Sequence, residues 1–199
     1  FVDNMNKAEP KPAPEPASSH RSVPAPVAAV DIQRMHQQLS QKARDYLRRE
    51  RLISSEVIDR YLLGVVKNTG SERISIPIAD STASIVDVRC WLPPEHRSEN
   101  AAKMIHWAKG YGAPRLFPIN QLNQDDLVLV EGELDALALI SQGIAAITIT
   151  AGATTWPEAL SEHFADKRVT ILMDNDGAGE NGAQQRAMSL VTCSSTVHV

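Results

Sequence analysis

Three apolar runs in the last third of the chain, "LVLV" at 127–130, "AAITIT" at 145–150 and "RVTILM" at 168–173, alternate with stretches of helical pattern at 133–142, about 157–165 and about 178–191. Runs that are apolar on both faces read as strands covered on both sides. Strand alternating with helix predicts a small parallel sheet with crossover helices. This pattern constrains the chain more than any other, because ligands of open parallel sheets sit outside the carboxyl ends of the strands. Acids stand at two of those ends: Glu131 follows the first run, and Asp174 and Asp176 follow the third. A buried strand has no structural need for a carboxylate at its tip.

Three carboxylates far apart in sequence but gathered at one sheet edge repel each other unless a cation lies between them. Hard oxygen donors of this kind select Mg2+ or Mn2+. Gly132, Gly177 and Gly179 keep the adjoining turns free of side chains, so that backbone and a phosphate can come close. Asp135, in the first turn of the following helix, is expected to stand just behind the edge. Plainer readings exist for each piece. Glu131 alone is compatible with a solvated strand end, and Asp135 with a charge placed to favour the helix dipole. "DNDGAGENG" also suggests a calcium loop, but its fifth position is Ala178, and the twelfth lacks the required Glu. A phosphatase of the haloacid-dehalogenase type shares the strand-terminal Asp-x-Asp-Gly, yet does not require the upstream Glu131.

The rest of the chain differs in composition. Residues 1–30 hold 6 of the 12 prolines and are expected to form an extended linker. From Asp31, a plausible cap, Ile32, Met35, Leu39, Ala43, Tyr46 and Leu47 fall at helical spacing. A second short helix follows in "LISSEVIDRYLLG", with Ser54 or Ser55 as its cap and Gly64 as its stop signal. "RISIPIAD" and "ASIVDVRCWL" predict an antiparallel hairpin, and residues 93–122 a loop-rich section. This gives an expected division into linker (1–30), a basic α+β subdomain (31–122) and the parallel-sheet unit (123–199). Residues 31–118 carry 14 Lys and Arg against 10 Asp and Glu, whereas residues 119–199 carry 3 against 11. A basic surface beside an acidic centre suits a polyanion track next to a metal site; two unrelated solvated surfaces would give the same counts.

Cys90 and Cys193 have no partner spacing for zinc or a disulfide framework and read as plain buried thiols. No apolar run approaches the roughly 20 residues of a membrane-spanning helix, so a cytoplasmic protein without membrane contact is expected. A first residue of Phe1 and a final "SSTVHV", which reads as the beginning of a strand, suggest a piece of a longer protein.

Taken together, "VEGELDALAL", "AITITAGATTW" and "ILMDNDGAGENGAQQRA" resemble the Toprim domain of bacterial-type primases, topoisomerases, RecR-like recombination mediators and OLD-type nucleases, where a Glu-Gly pair and an Asp-x-Asp pair end two strands. Here 43 residues separate Glu131 from Asp174. The preceding "KARDYLRRERLISSEVIDRYLLG", "RISIPIAD", the strand ending in Arg89, and "KGYGAPRLFPINQL" resemble the first half of the RNA-polymerase domain of DnaG-type primases, in particular those of phages, plasmids and other mobile elements. The expected fold is therefore α/β: a Toprim domain, with its Rossmann-like small parallel sheet and crossover helices, preceded by a small α+β primase subdomain.

The resemblance implies template-directed synthesis of short RNA primers on single-stranded DNA, with ribonucleoside triphosphates as substrates and a replicative helicase domain or subunit as partner. It implies Mg2+ or Mn2+ held by Asp174 and Asp176, Glu131 as third ligand or as the base, and Asp135 as support. Arg73, Arg89, Lys103, Lys109 and Arg115 are expected to hold template or triphosphate. Trp107 and Tyr111 either stack bases or, for Trp107, pack in the core. Two other functions stay open: a Toprim nuclease or phosphotransferase of the OLD or topoisomerase type, and a non-catalytic RecR-like DNA-binding module.

Overall fold

The computed structural model describes residues 25–67, 71–152 and 154–199. Two sheets carry the architecture. The first is antiparallel in the order β1 (Gly64–Val66), β2 (Arg73–Ala79), β3 (Ile85–Trp91), β4 (Met104–His106). The second takes the order β5-β7-β6-β8-β9, from β5 (Leu116–Phe117), β6 (Asp126–Val130), β7 (Ala146–Ile149), β8 (Arg168–Leu172) and β9 (Thr196–His198). β7, β6, β8 and β9 are mutually parallel, and β5 runs antiparallel along β7. The parallel sheet expected from the apolar runs is present, and "TVH" does form its edge strand.

Helices cover β6 and β7 on both faces, whereas β8, expected to be covered on both sides, is buried on one face only, with Arg168, Thr170 and Leu172 exposed. α4 (Glu133–Ser141) lies over Val128, Val130 and Ala146, while α5 (Gly177–Leu190) packs with Leu127, Leu129, Val169 and Ile171 on the other side. Alternate residues of β6 therefore feed two cores, which is why the strand reads as continuously apolar. The chain leaves β6 through α4 towards β7 and leaves β8 through α5 towards β9, in opposite directions along the sheet. A crevice opens between the carboxyl ends of such a strand pair. The connection from β7 to β8 contains a 3-10 helix at Glu158–Phe164 where a helix was expected.

The helical preface is broken up more than its pattern predicted. α1 (Ala29–Gln37) ends before Leu39, and α2 (Gln41–Arg49) starts afresh with Ser40 as its cap, the hydroxyl accepting from the Ala43 N–H at 3.2 Å. Asp31 lies inside the first turn of α1 and pairs with Arg34; it is not the cap. α3 (Ser55–Arg60) is capped by Ser54 and ends at Tyr61, ahead of Leu62 in the left-handed region (φ 51°). Gly64 is consequently no stop signal. It opens β1, where a Cβ would lie 2.4 Å from the Met35 carbonyl carbon, so its missing side chain lets β1 touch α1.

The expected hairpin forms from β2 and β3, its turn held by Asp80, which accepts from the Thr82 N–H (2.8 Å), the Thr82 hydroxyl (2.7 Å) and the Ser84 N–H (3.1 Å). These donors hold the Asp80 carboxyl below its ordinary value, those of Thr82 most of all. Residues 1–24 of the expected linker lie outside the described residues. Its last part is built into the fold: Val27 is buried, its N–H donates to the Ile85 carbonyl, and α1 begins at Ala29.

The two sheets are joined through shared apolar side chains. Leu134 and Leu137 of α4 and Phe117 of β5 pack with Leu47, Ile53, Ile58, Ile74 and Ile76. β5 belongs to the second sheet, although the expected division placed residues up to 122 with the first. Among the described residues, no helix is long and apolar enough to cross a membrane. Cys90 is buried and its thiol is pushed up to about 12 by burial, so it is no poised nucleophile, whereas Cys193 is half-buried rather than buried as expected.

Candidate active site

Val130 pairs with Leu172 across the parallel ladder, so the chain leaves β6 and β8 side by side. Glu131 and Asp174 therefore meet at the crevice: the Asp174 N–H lies 3.3 Å from Glu131 Oε2. Asp135 stands one turn along α4 and faces Arg51, whose Nη2 donates to its Oδ1 at 3.0 Å. Burial raises the Asp135 carboxyl above its ordinary value, and Asp174 adds to this, while Arg51 and Lys103 oppose it. The cleft is walled by Glu131, Asp135 and Asp174 from the second sheet and by Arg51, Arg89, Trp91 and Lys103 from the first half. It is thus a junction between an acidic edge and a basic wall.

Asp176 occupies a different position from its two companions. It is the N-cap of α5, its Oδ1 accepting from the N–H groups of Ala178 (3.0 Å) and Gly179 (2.8 Å). Only Oδ2 is left for another ligand. Among the described residues no three His, Cys, Asp or Glu side chains are gathered into a ready metal cage. The donor set still suits Mg2+, which prefers one or two carboxylates with waters and substrate phosphates over an all-protein cage. Glu131 and Asp174 are hard oxygen donors that form no ion pair among the described residues.

The glycines act more locally than expected. A Cβ on Gly179 would lie 2.0 Å from the Asp174 carbonyl oxygen, so this residue lets the first turn of α5 close on the backbone that carries Asp174. A Cβ on Gly132 would meet Asp135 Oδ2 at 2.8 Å, whereas Gly177 faces open space. Of the three, only Gly177 has open space beside it.

The five basic residues singled out in the sequence separate into three groups. Lys103 lines the cleft and is exposed. Lys109 and Arg115 do not line it; Lys109 is exposed on a neighbouring loop, and Arg115 acts electrostatically on Asp80. Arg73 and Arg89 are occupied within the fold. Arg73 is 6% exposed, and its Nη1 donates to the Ala102 carbonyl at 3.0 Å. Arg73 is therefore a buried strut between β2 and the loop before β4, which corrects its expected role in polyanion binding. Arg89 forms a buried ion pair with Glu133, Nε to Oε1 at 2.9 Å, at the back of the cleft. Trp107 and Tyr111 pack with Val27 and Ile32, and the Tyr111 hydroxyl donates to the Ala25 carbonyl. They anchor the start of the described chain, where both are half-buried.

Arg51, Glu133 and Arg186 belong to the site, although sequence reading passed over them. Arg51 is hidden in the charged run "RRER", which reads as a solvated helix end. Its guanidinium rests over Trp91, 5.7 Å from the ring centre. Arg186 is fully buried beneath the edge, donating to the Gly182 (3.1 Å) and Gly152 (3.0 Å) carbonyls and lying 5.4 Å from the centre of the Trp156 ring. Burial lowers its pKa and the Glu131 charge raises it. A signal for it existed: Arg186 sits on the stripe Gly179, Gly182, Ala183, Leu190, where only core residues belong.

A sequence model of the Toprim-like family matches residues 128–198, the stretch from β6 to the end of β9. Residues 128–198 form a Toprim-like domain. No curated protein matches the chain. Among solved structures, the zinc-binding and RNA polymerase domains of the Aquifex aeolicus primase superpose with a TM-score of 0.65 at 18% identity, covering 85% of this chain and 54% of that one. A DnaG primase catalytic domain bound to single-stranded DNA gives 0.59 at 19% identity, covering 80% of this chain and 63% of that one. The primase fragment of the bacteriophage T7 primase-helicase gives 0.55 at 20% identity, covering 75% and 63%. The Toprim-like domain and its preface thus share the fold of primase catalytic cores, and the chain spans about half to two thirds of those chains.

Proposed function

We propose that this chain belongs to the catalytic core of a DNA primase that makes short RNA primers on single-stranded DNA. The observation that carries this reading is the cleft itself, where the half-buried Glu131 and the exposed Asp174 at the β6 and β8 ends face Arg51 and Lys103 of the preceding half. The fold shared with primase cores supports the same assignment for the chain as a whole.

In the proposed reaction the 3′-hydroxyl of one ribonucleotide attacks the α-phosphorus of an incoming triphosphate. A new P–O bond forms, the α–β bond breaks, pyrophosphate leaves, and the hydroxyl proton passes to a base. A bound Mg2+ or Mn2+ would lower the pKa of the attacking hydroxyl and offset charge on the phosphates. Asp174 and Asp176, through its free Oδ2, are the proposed ligands; Glu131 completes the set or takes the proton. Arg51 and Lys103 hold the triphosphate from the opposite wall, Arg51 pre-oriented by Asp135 and Trp91. Template passes over the exposed lysines at 103 and 109. A helicase domain or subunit, as in the T7 primase-helicase, is the proposed partner.

Incorporation of labelled ribonucleotides on single-stranded DNA with Mn2+ tests this, comparing the intact protein with Asp174→Ala. Short RNA products that disappear in the variant are expected. Degraded template without RNA products would replace the primase by a nuclease, and salt-sensitive DNA binding with no reaction would leave a binding module.

A further inference from the structure

Behind the basic wall runs a chain of polar side chains that the chemistry above does not use. Asp87, 1% exposed, places Oδ2 at 2.7 Å from His106 Nδ1. The other imidazole nitrogen, Nε2, lies 2.8 Å from Arg89 Nη1. Arg89 then pairs through Nε with Glu133, the first residue of α4. Donor and acceptor chemistry orders these contacts. A guanidinium only donates and an ionised carboxylate only accepts, so Nε2 accepts from Arg89 and Nδ1–H donates to Asp87. Gly112, at φ 126°, closes the neighbouring loop over the ring; a Cβ there would lie 3.1 Å from Nε2.

The consequence is mechanical. β3 and β4 are tied by this chain to the first turn of α4, two residues after Glu131 and two before Asp135. The geometry points to His106 as a positioning residue. In its Nδ1–H form, oriented by Asp87, it holds Arg89 against Glu133 and so keeps the basic wall in register with the acidic edge. Its effect on catalysis rests on the primer-synthesis reading; its effect on α4 does not. His106 touches no substrate in this account, so losing it should leave both binding surfaces intact while degrading their alignment. A misplacement of about 1 Å at a reacting centre costs on the order of 100-fold in rate.

Two variants separate the two nitrogens. His106→Gln keeps an acceptor near the position of Nε2, whereas His106→Asn keeps only a group near Nδ1. In the intact protein, imidazole 15N shifts should show Nε2 unprotonated and Nδ1 protonated. Amide exchange at Ala136 to Leu139 of α4 should quicken about tenfold in His106→Asn, as expected for a lost charge-assisted hydrogen bond, with α5 unchanged and His106→Gln close to the parent. Primer synthesis should lose about 100-fold in kcat in His106→Asn. KM for template should stay within about twofold, and His106→Gln should recover most of the rate. A protonated Nε2, or α4 exchange equal in parent and His106→Asn, would overturn the proposal. If the parent makes no primers but the exchange pattern holds, the primase reading falls and the tether stands.

Discussion

In the half built on β1–β4, cations are largely bound to the protein that carries them. Arg73 donates to backbone carbonyls, Arg89 is buried against Glu133, and Arg44 pairs with Asp59 at 2.7 Å. In the half built on β5–β9, Glu131 and Asp174 at the crevice form no ion pair among the described residues, although the buried Arg186 acts electrostatically on Glu131. Both halves are rich in charge, but the crevice brings acids from β6, α4 and β8 to one edge, where Asp174 acts electrostatically on Asp135. Charges that the fold both buries and neutralises, as at Arg89, maintain architecture. Those it leaves unneutralised at a strand edge are the ones with work to do on a ligand.

The largest effect that would sharpen this contrast is expected from Asp174→Ala. Primer synthesis should fall on the order of 10³-fold or more, as for loss of a metal-ligating or transition-state group. The midpoint of thermal unfolding should hold or rise, since repulsion with Asp135 is relieved. Arg73→Met should behave in the opposite way. Losing the charge-assisted bonds to the Ala102 and Cys90 carbonyls should cost about 2 kcal/mol in urea unfolding, with residual activity tracking the folded fraction. Lys103→Ala should spare stability and weaken binding to single-stranded DNA, lowering the slope of log affinity against log salt by about 1. An unchanged slope would remove Lys103 from the polyanion track.

The smallest effect is a pH dependence. Burial raises the Asp135 pKa in the folded chain, so the folded state binds more protons than the unfolded one between the ordinary carboxylate value and the raised one. Stability contributed by this residue therefore falls as pH rises through that window. Asp135→Asn should match the parent most closely in acid and become the more stable of the two above the window, as read from urea midpoints against pH. A parent that gains on the variant with rising pH would show that Arg51, not burial, dominates at this position.

What could be read in advance follows the same division. The parallel sheet and its acidic edge were legible because its strands leave an unbroken apolar signature, even at β8 where one face is exposed, and Glu131 and Asp174 stand at the ends of such runs. The antiparallel half was legible as a hairpin, but its details were not. The split between α1 and α2 depends on Ser40 as a cap, a local signal overridden in the reading by apolar spacing that runs on through Leu39 to Leu47. Arg73 and Arg89 looked like surface cations because sequence does not show which face of a strand meets a carbonyl or a carboxylate. Gly64 and Gly179 looked like turn residues, though both are required by the close approach of another backbone. Glu133, only two residues from Glu131, could not be told from an exposed helix-start acid until Arg89 was found beside it.

The claim at the centre of this account is that the carboxylates at the β6 and β8 ends hold a divalent cation. Electron paramagnetic resonance titration with Mn2+ tests it most directly, comparing the intact protein with Asp174→Asn. The account predicts saturable binding in the parent that is lost or weakened at least about tenfold in the variant, because Mn2+ takes hard oxygen ligands and here has few to lose. Equal binding in both proteins would contradict it and return Glu131 and Asp174 to the status of surface charges.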